Sequence, residues 1–230
     1  MTGNIVLRMR SIGRVLGLNR LLGRLINSDY YEEKFGKEML GRAQSGDVVW
    51  DVGANVGLYT EEFLNRVGDT GKVYAFEPAP GSVRALINRF EKHANVSILS
   101  YALGDSNGEV EMLFDEKDPT SVINKIVTTG VGEKGDMIRI RTADSVVDSE
   151  EAPLPNVIKI DVEGHELSVI KGMRSILSSN SLKCIAIEVH FKLLSDRGEE
   201  FAPKEIESIL LSHDFSIKWT DPSHIVAFRK

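Results

Sequence analysis

Six residues have the types and spacing to do chemistry along one edge of a sheet. Asp51 ends the apolar run VVWDV and opens the turn DVGANVG, Glu77 ends YAFE, Asp161 and Glu163 lie in IKIDVEGHE, and Glu188 and His190 close CIAIEVH. In open parallel sheets, ligands bind outside the carboxyl ends of the strands, where the strand order reverses. An acid ending the second strand can accept both hydroxyls of a ribose, and Glu77 follows Asp51 by twenty-six positions. A nucleoside-bearing cofactor is therefore expected.

The turn narrows the choice of cofactor. Gly53 and Gly57 stand four apart rather than as G-x-G-x-x-G, a poor match to the dinucleotide fingerprint. Gly53 allows close backbone approach or positive φ, and Asn55 is among the few other residues that tolerate positive φ. A pyrophosphate calls for a helix N-terminus free of anions, yet this turn begins with Asp51 and the next helix carries Glu61 and Glu62 early. An acid there suits a cation such as the amino group or sulfonium of S-adenosyl-L-methionine, which points to methyl transfer.

Transfer to an alcohol needs alignment of oxygen, methyl and sulfur, and a base or metal at the attacking oxygen. If the fourth strand runs on, Lys159, Asp161 and Glu163 share one face, toward the cleft, with Ile158, Ile160 and Val162 on the other, toward the core. Gly164 breaks the strand and Glu166 then reads as a first-turn carboxylate that favours the helix dipole. Glu188 and His190 share a parity in the fifth strand, so Asp161, Glu188 and His190 would converge as ligands for Mg²⁺ or Mn²⁺. Without metal, Asp161, Glu163 or His190 is the expected base. His93, His213 and His224 read as structural and Trp50 as core. Trp219 could be core or an aromatic wall, and Tyr30, Tyr31 and Phe35 could line an acceptor pocket.

The elements that must position these residues alternate. Strand-like runs at 48–52, 72–77, 96–102, 157–161 and 184–190 are separated by helical patterns near 57–67, 80–93 and 165–178, with Pro80 suited to a first helical turn. This predicts βαβ units and a mostly parallel sheet covered on both faces. A polar stretch after Leu103, holding EVEMLF and MIRIRT, reads as an insertion near 104–145. PKEIESILLSH predicts a helix, and FSIKW and HIVAFRK a closing antiparallel hairpin, for seven strands in all.

The 230 residues, 42% hydrophobic, suit one domain from about residue 45, with residues 1–44 as a helical appendage. A net charge of −6 lacks the basic footprint of a nucleic-acid partner. The single cysteine, Cys184, cannot form an internal disulfide and reads as core. With no apolar run of transmembrane length and no signal-peptide pattern, the chain reads as soluble and cytoplasmic. Residues 1–27 carry five arginines and no acid at near-helical apolar spacing. They read as a basic amphipathic helix packed on the domain, with docking on an anionic surface such as a membrane, or covering the active site, as the alternatives.

The segments DVVWDVGANVGLYT, VYAFEPAPGSVRAL, ALGDSNGEVEM, IRIRTADSVV, IKIDVEGHELSVIKGM and IAIEVH occur in the order seen in FkbM-type methyltransferases. The likeness covers about residues 45–192, and D-V-G-A-N-x-G with K-I-D-V-E-G-x-E is a specific combination. The resemblance implies a Rossmann-like class I methyltransferase fold and S-adenosylmethionine-dependent transfer to a hydroxyl of a small molecule or saccharide. It places Asp51, Gly53, Asn55 and Gly57 around the methionine end, Glu77 and Pro78 at the ribose, and Tyr101, Ala102 and Leu103 near the adenine, with Asp161 also beside the cofactor. Ala143 stands where that family usually has leucine, a packing position. Three other readings remain: a nicotinamide-dependent oxidoreductase, a non-catalytic nucleoside-binding module, and an RNA methyltransferase, which the acidic balance disfavours.

Overall fold

In a computed structural model, residues 28–114, 122–126 and 135–229 are described. The expectations for residues 1–27, and for the side chains of Tyr30 and Tyr31, lie outside that description. Chain order is α1 (Ser28–Leu40), β1 (Val48–Val52), α2 (Leu58–Val67), β2 (Lys72–Phe76), α3 (Pro80–Phe90), β3 (Val96–Leu99), β4 (Ala102–Leu103), β5 (Gly108–Phe114), β6 (Val122–Ile126) and β7 (Asp136–Arg141). There follow α4 (Ala143–Asp148), β8 (Val157–Ile160), α5 (Glu166–Lys171), α6 (Arg174–Ser178), β9 (Cys184–Glu188), α7 (Phe191–Asp196), α8 (Ala202–Ser212), β10 (Phe215–Asp221) and β11 (His224–Arg229).

The main sheet has seven strands in the order β10-β11-β9-β8-β1-β2-β3, parallel except for the antiparallel β10–β11 hairpin at one edge. Two-residue alternation explains why both faces are apolar. Val49, Val73, Val157, Cys184, Ala186 and Val226 join Phe35 and Met39 of α1 and Phe63 and Val67 of α2 in one cluster. Trp50, Tyr74, Phe76, Ile158 and Ile187 join Ile170, Ile176, Ile206 and Leu210 of α5, α6 and α8, and Met173 between α5 and α6, in the other. This is the Rossmann-like class I methyltransferase arrangement expected, with helices on both faces.

Three details differ from the sequence reading. The third strand does not run from 96 to 102: it ends at Leu99, and Ala102–Leu103 pairs with β7 in a second, four-stranded sheet of order β4-β7-β5-β6. The insertion is thus a folded sheet of its own. The helical pattern at 165–178 is two helices broken at Gly172 and Met173, and the backbone carbonyl of Gly104 packs 1.9 Å from where a Cβ on Gly172 would sit. Phe35 is 2% exposed inside the core, so it lines no acceptor pocket. Its helix α1 packs on the sheet in the same cluster.

Cys184 is fully buried, and burial pushes its thiol up to about 12. At pH 8, Ellman's reagent should react with the native chain at least about a hundredfold more slowly than with the chain unfolded in guanidinium. Comparable rates would show that this face of the sheet is open.

Candidate functional site

Strand order reverses between β1 and β8: the chain passes from β1 to β2 on one side, while β8 lies on the other. Here Asp51 of β1 and Lys159 of β8 are register partners, and both are buried. The Lys159 ammonium lies 3.2 Å from Asp51 Oδ1 and 3.6 Å from Asp161 Oδ2, and donates to the Gly53 carbonyl at 2.9 Å. The ring of Tyr59 lies 5.5 Å away. Thr60 Oγ1 donates to the other Asp51 oxygen at 2.6 Å. Burial alone would lower the Lys159 pKa, but Asp51 and Asp161 outweigh it and hold the amine charged well above its usual range.

The glycine turn is fastened by its amides. Gly53 N–H and Ala54 N–H both donate to the Phe76 carbonyl, at 2.9 and 3.1 Å. Asn55 N–H donates to Glu77 Oε2 at 2.7 Å, and Ala79 N–H to Glu77 Oε1 at 2.8 Å. Glu77 is 4% exposed; burial raises its pKa while these two amide bonds oppose the shift. Each oxygen retains a lone pair for a further donor. Gly53, Asn55 and Gly57 all take positive φ, at 77°, 50° and 82°, as their residue types suggested. At Gly53 a Cβ would sit 1.8 Å from the Asp161 carbonyl oxygen, so this turn and the β8 loop touch through backbone. Asp51 is fully buried, its carboxylate held by Lys159 of β8 and Thr60 of α2. Tyr101 and Leu103 are also buried in the core, while Ala102 between them is half-buried.

At the ends of β8 and β9 lies a second cluster. Glu163 sits in a turn at φ 52° and Gly164 at φ 91°, so the turn places Glu163, not a continued strand. His190 follows the end of β9, and its Nε2 lies 3.1 Å from Glu163, 3.6 Å from Asp161 and 3.8 Å from Glu188. Its Nδ1 meets Glu166 Oε1 at 2.6 Å, and that oxygen also accepts from Gly164 N–H at 2.9 Å. Burial would lower the His190 pKa, but the Glu166 bond, Glu163 and Asp161 raise it to about 9. The potential ligand atoms that gather within 4.8 Å are those of Asp161, Glu163 and His190. Glu188, expected as a ligand, turns its other oxygen to His224 Nε2 at 3.5 Å.

Sequence reading missed three partners. Lys159 looked like a cleft residue and is the buried counter-ion of two carboxylates. Glu166, read as a dipole carboxylate, is 0% exposed and orients His190. His224, read as structural, is buried, bonds Asp221 at 2.7 Å and is raised to about 9, burial being outweighed by Asp221 and Glu188. A lysine inside an apolar strand and a carboxylate seven residues after it are the signals that could have flagged the first two.

The model of the methyltransferase FkbM domain matches residues 51–217, and the chain belongs to that family. Hexuronic acid methyltransferase AglP of Haloferax volcanii is 35% identical over 154 residues, which is 66% of this chain and 59% of AglP. The chain thus spans about three fifths of that relative's length. The FkbM methyltransferase of Methylobacillus flagellatus superposes with a TM-score of 0.58 at 19% identity, over 87% of this chain and 50% of that one. A Streptococcus mutans protein solved in complex with SAH gives 0.52 at 12% identity, over 86% and 97%. These two likenesses concern the fold alone. Among the described residues no helix is long and apolar enough to cross a membrane.

Two outcomes follow for the site. Gly53→Ala should lower stability by about 3 kcal/mol or more, through both the backbone clash and the positive φ; an unchanged denaturant midpoint would show that the turn can yield. The raised pKa values of His190 and His224 stabilise the fold fully below about 6.5, and that contribution is lost as pH rises through about 9. Chemical denaturation in EDTA should therefore show stability falling between these pH values, and a flat profile would contradict the imidazolium assignment.

Proposed function

We propose that the chain is an S-adenosylmethionine-dependent O-methyltransferase acting on a hydroxyl of a saccharide, with hexuronic acids the first class to test. The observation that carries the cofactor reading is the direction of the turn amides. Gly53, Ala54 and Asn55 give their N–H groups to Phe76 and Glu77. A pyrophosphate would need amides aimed outward, so the nicotinamide alternative loses its main anchor. Glu77 instead offers a carboxylate to ribose hydroxyls, and Asp161 brings negative charge to the sulfonium side. The relative that methylates a hexuronic acid supports the acceptor class.

In transfer, the acceptor oxygen forms a bond to the methyl carbon as the carbon–sulfur bond breaks, and the sulfonium becomes a neutral thioether. The hydroxyl proton must leave. With His190 held as an imidazolium near neutral pH, the acceptor proton passes to Glu163 or Asp161, while His190 keeps these carboxylates in place. The cluster and turn share Asp161, so acceptor and cofactor are positioned by one rigid backbone contact.

A second reading adds Mg²⁺ or Mn²⁺ at Asp161, Glu163 and His190, favoured by the Glu166 bond that leaves His190 Nε2 toward the carboxylates. Titration calorimetry with MnCl₂ tests it: binding that vanishes in Glu163→Gln supports the ion, and no heat at millimolar concentration removes it.

Incubating the chain with methyl-labelled S-adenosylmethionine and methyl β-D-glucuronide should give a labelled ether. No transfer to uronic or neutral glycosides would sink the saccharide reading. Glu77→Ala should weaken binding of S-adenosylhomocysteine by about 1.5–3 kcal/mol, roughly 10- to 150-fold. Unchanged affinity would show that Glu77 does not hold the ribose.

A further inference from the structure

Beside the His190 cluster two large aromatic side chains face water. Phe191, the residue after His190, is 40% exposed, and Trp219 of β10 is 36% exposed. Their ring centroids are 6.0 Å apart with planes inclined at 31°, an open V rather than a stack. Through the β10–β11–β9 register Trp219 pairs with Ile225 and Ile225 with Ile187, one residue before Glu188. The pair is therefore level with the carboxyl edge of the sheet, where Glu188 and His190 lie.

The indole is also held. Trp219 Nε1 donates to Glu207 of α8 at 2.6 Å, which fixes the ring while leaving its face in solvent. An exposed tryptophan costs apolar hydration, and holding it in place adds lost rotamer freedom. Both are explained if the ring's function is to receive something flat and weakly polar. The negative π-face of an aromatic ring attracts positively polarised edges, and the axial C–H groups of a pyranose present such edges over the area of one ring. Pre-fixing the ring also reduces the ordering cost at binding.

We propose that Phe191 and Trp219 form a stacking platform for the pyranose ring of the acceptor, holding it beside the Asp161, Glu163 and His190 cluster. This rests on the saccharide reading above. Stacking addresses the C–H face of the ring and not its charge, so uronic and neutral glycosides should both use it.

The chain has two tryptophans, and the other, Trp50, is fully buried in the core. Titrating methyl β-D-glucuronide and methyl β-D-glucopyranoside into the full chain, saturated with S-adenosylhomocysteine, should therefore shift emission through Trp219 alone. Trp219→Leu should abolish that shift and raise KM for the methylated glycoside roughly 3- to 10-fold, with cofactor affinity unchanged; Trp219→Phe should restore most of the KM. Phe191→Leu should act in the same direction and guards against a folding defect in one variant. If a glycoside is methylated but Trp219→Leu and Phe191→Leu leave its KM unchanged, the platform is wrong and the saccharide reading stands. If no glycoside is methylated by the wild-type chain, both fall.

Discussion

The Lys159 ammonium is the interaction on which the candidate site depends. It sits in the interior between Asp51 and Asp161 and donates to the Gly53 carbonyl, so one charge ties β1, the glycine turn and the end of β8. Burying an isolated ammonium or carboxylate costs several kcal/mol, and removing one partner of such a pair costs about 3–5 kcal/mol because the other is stranded. The trio therefore stands or falls together. Its geometry brings the turn and the β8 loop so close that only glycine fits at position 53.

From that point opposite charges alternate along the sheet edge. Asp161 lies between Lys159 and His190; His190 lies among Asp161, Glu163, Glu166 and Glu188; Glu188 lies between His190 and His224; and His224 is held by Asp221. The β8 end, the His190 cluster and the closing hairpin are thus electrostatically continuous, each of these anions with a cation within 4 Å. Such a line leaves little need for reorganisation when charge moves at the reacting atoms, which is the condition for electrostatic catalysis. It also explains why the hairpin, whose sequence match to the family ends at Ser216–Ile217, still bears on the site through His224.

The main sheet was legible because periodicity and punctuation agreed: apolar runs of four to seven residues bounded by Gly, Pro, Asp or Asn admit few other readings. The positive φ values at Gly53, Asn55 and Gly57 were legible for the same local reason. What could not be read was anything decided by tertiary approach. Leu99 ends β3 because Ala102 finds β7, a partner thirty-eight positions away in register at Ile140. Glu163 reaches His190 through a left-handed turn that strand parity does not foresee. Glu166 and Lys159 looked like a capping carboxylate and a cleft cation, because sequence shows their chemistry but not their depth. Charge at a strand end was enough to mark the candidate site, and burial was needed to show which of its residues are enclosed.

The central claim is that a buried ammonium at position 159 organises the cofactor turn. Its most direct test is calorimetric titration with S-adenosylhomocysteine of the paired variant Lys159→Met with Asp51→Asn, which removes cation and anion together and keeps the interior neutral. The account predicts a folded protein whose affinity falls by an order of magnitude or more, because the Gly53 carbonyl has lost its donor. Wild-type affinity in a folded variant would contradict it, and would mean that the turn holds its shape through the Phe76 and Glu77 bonds alone.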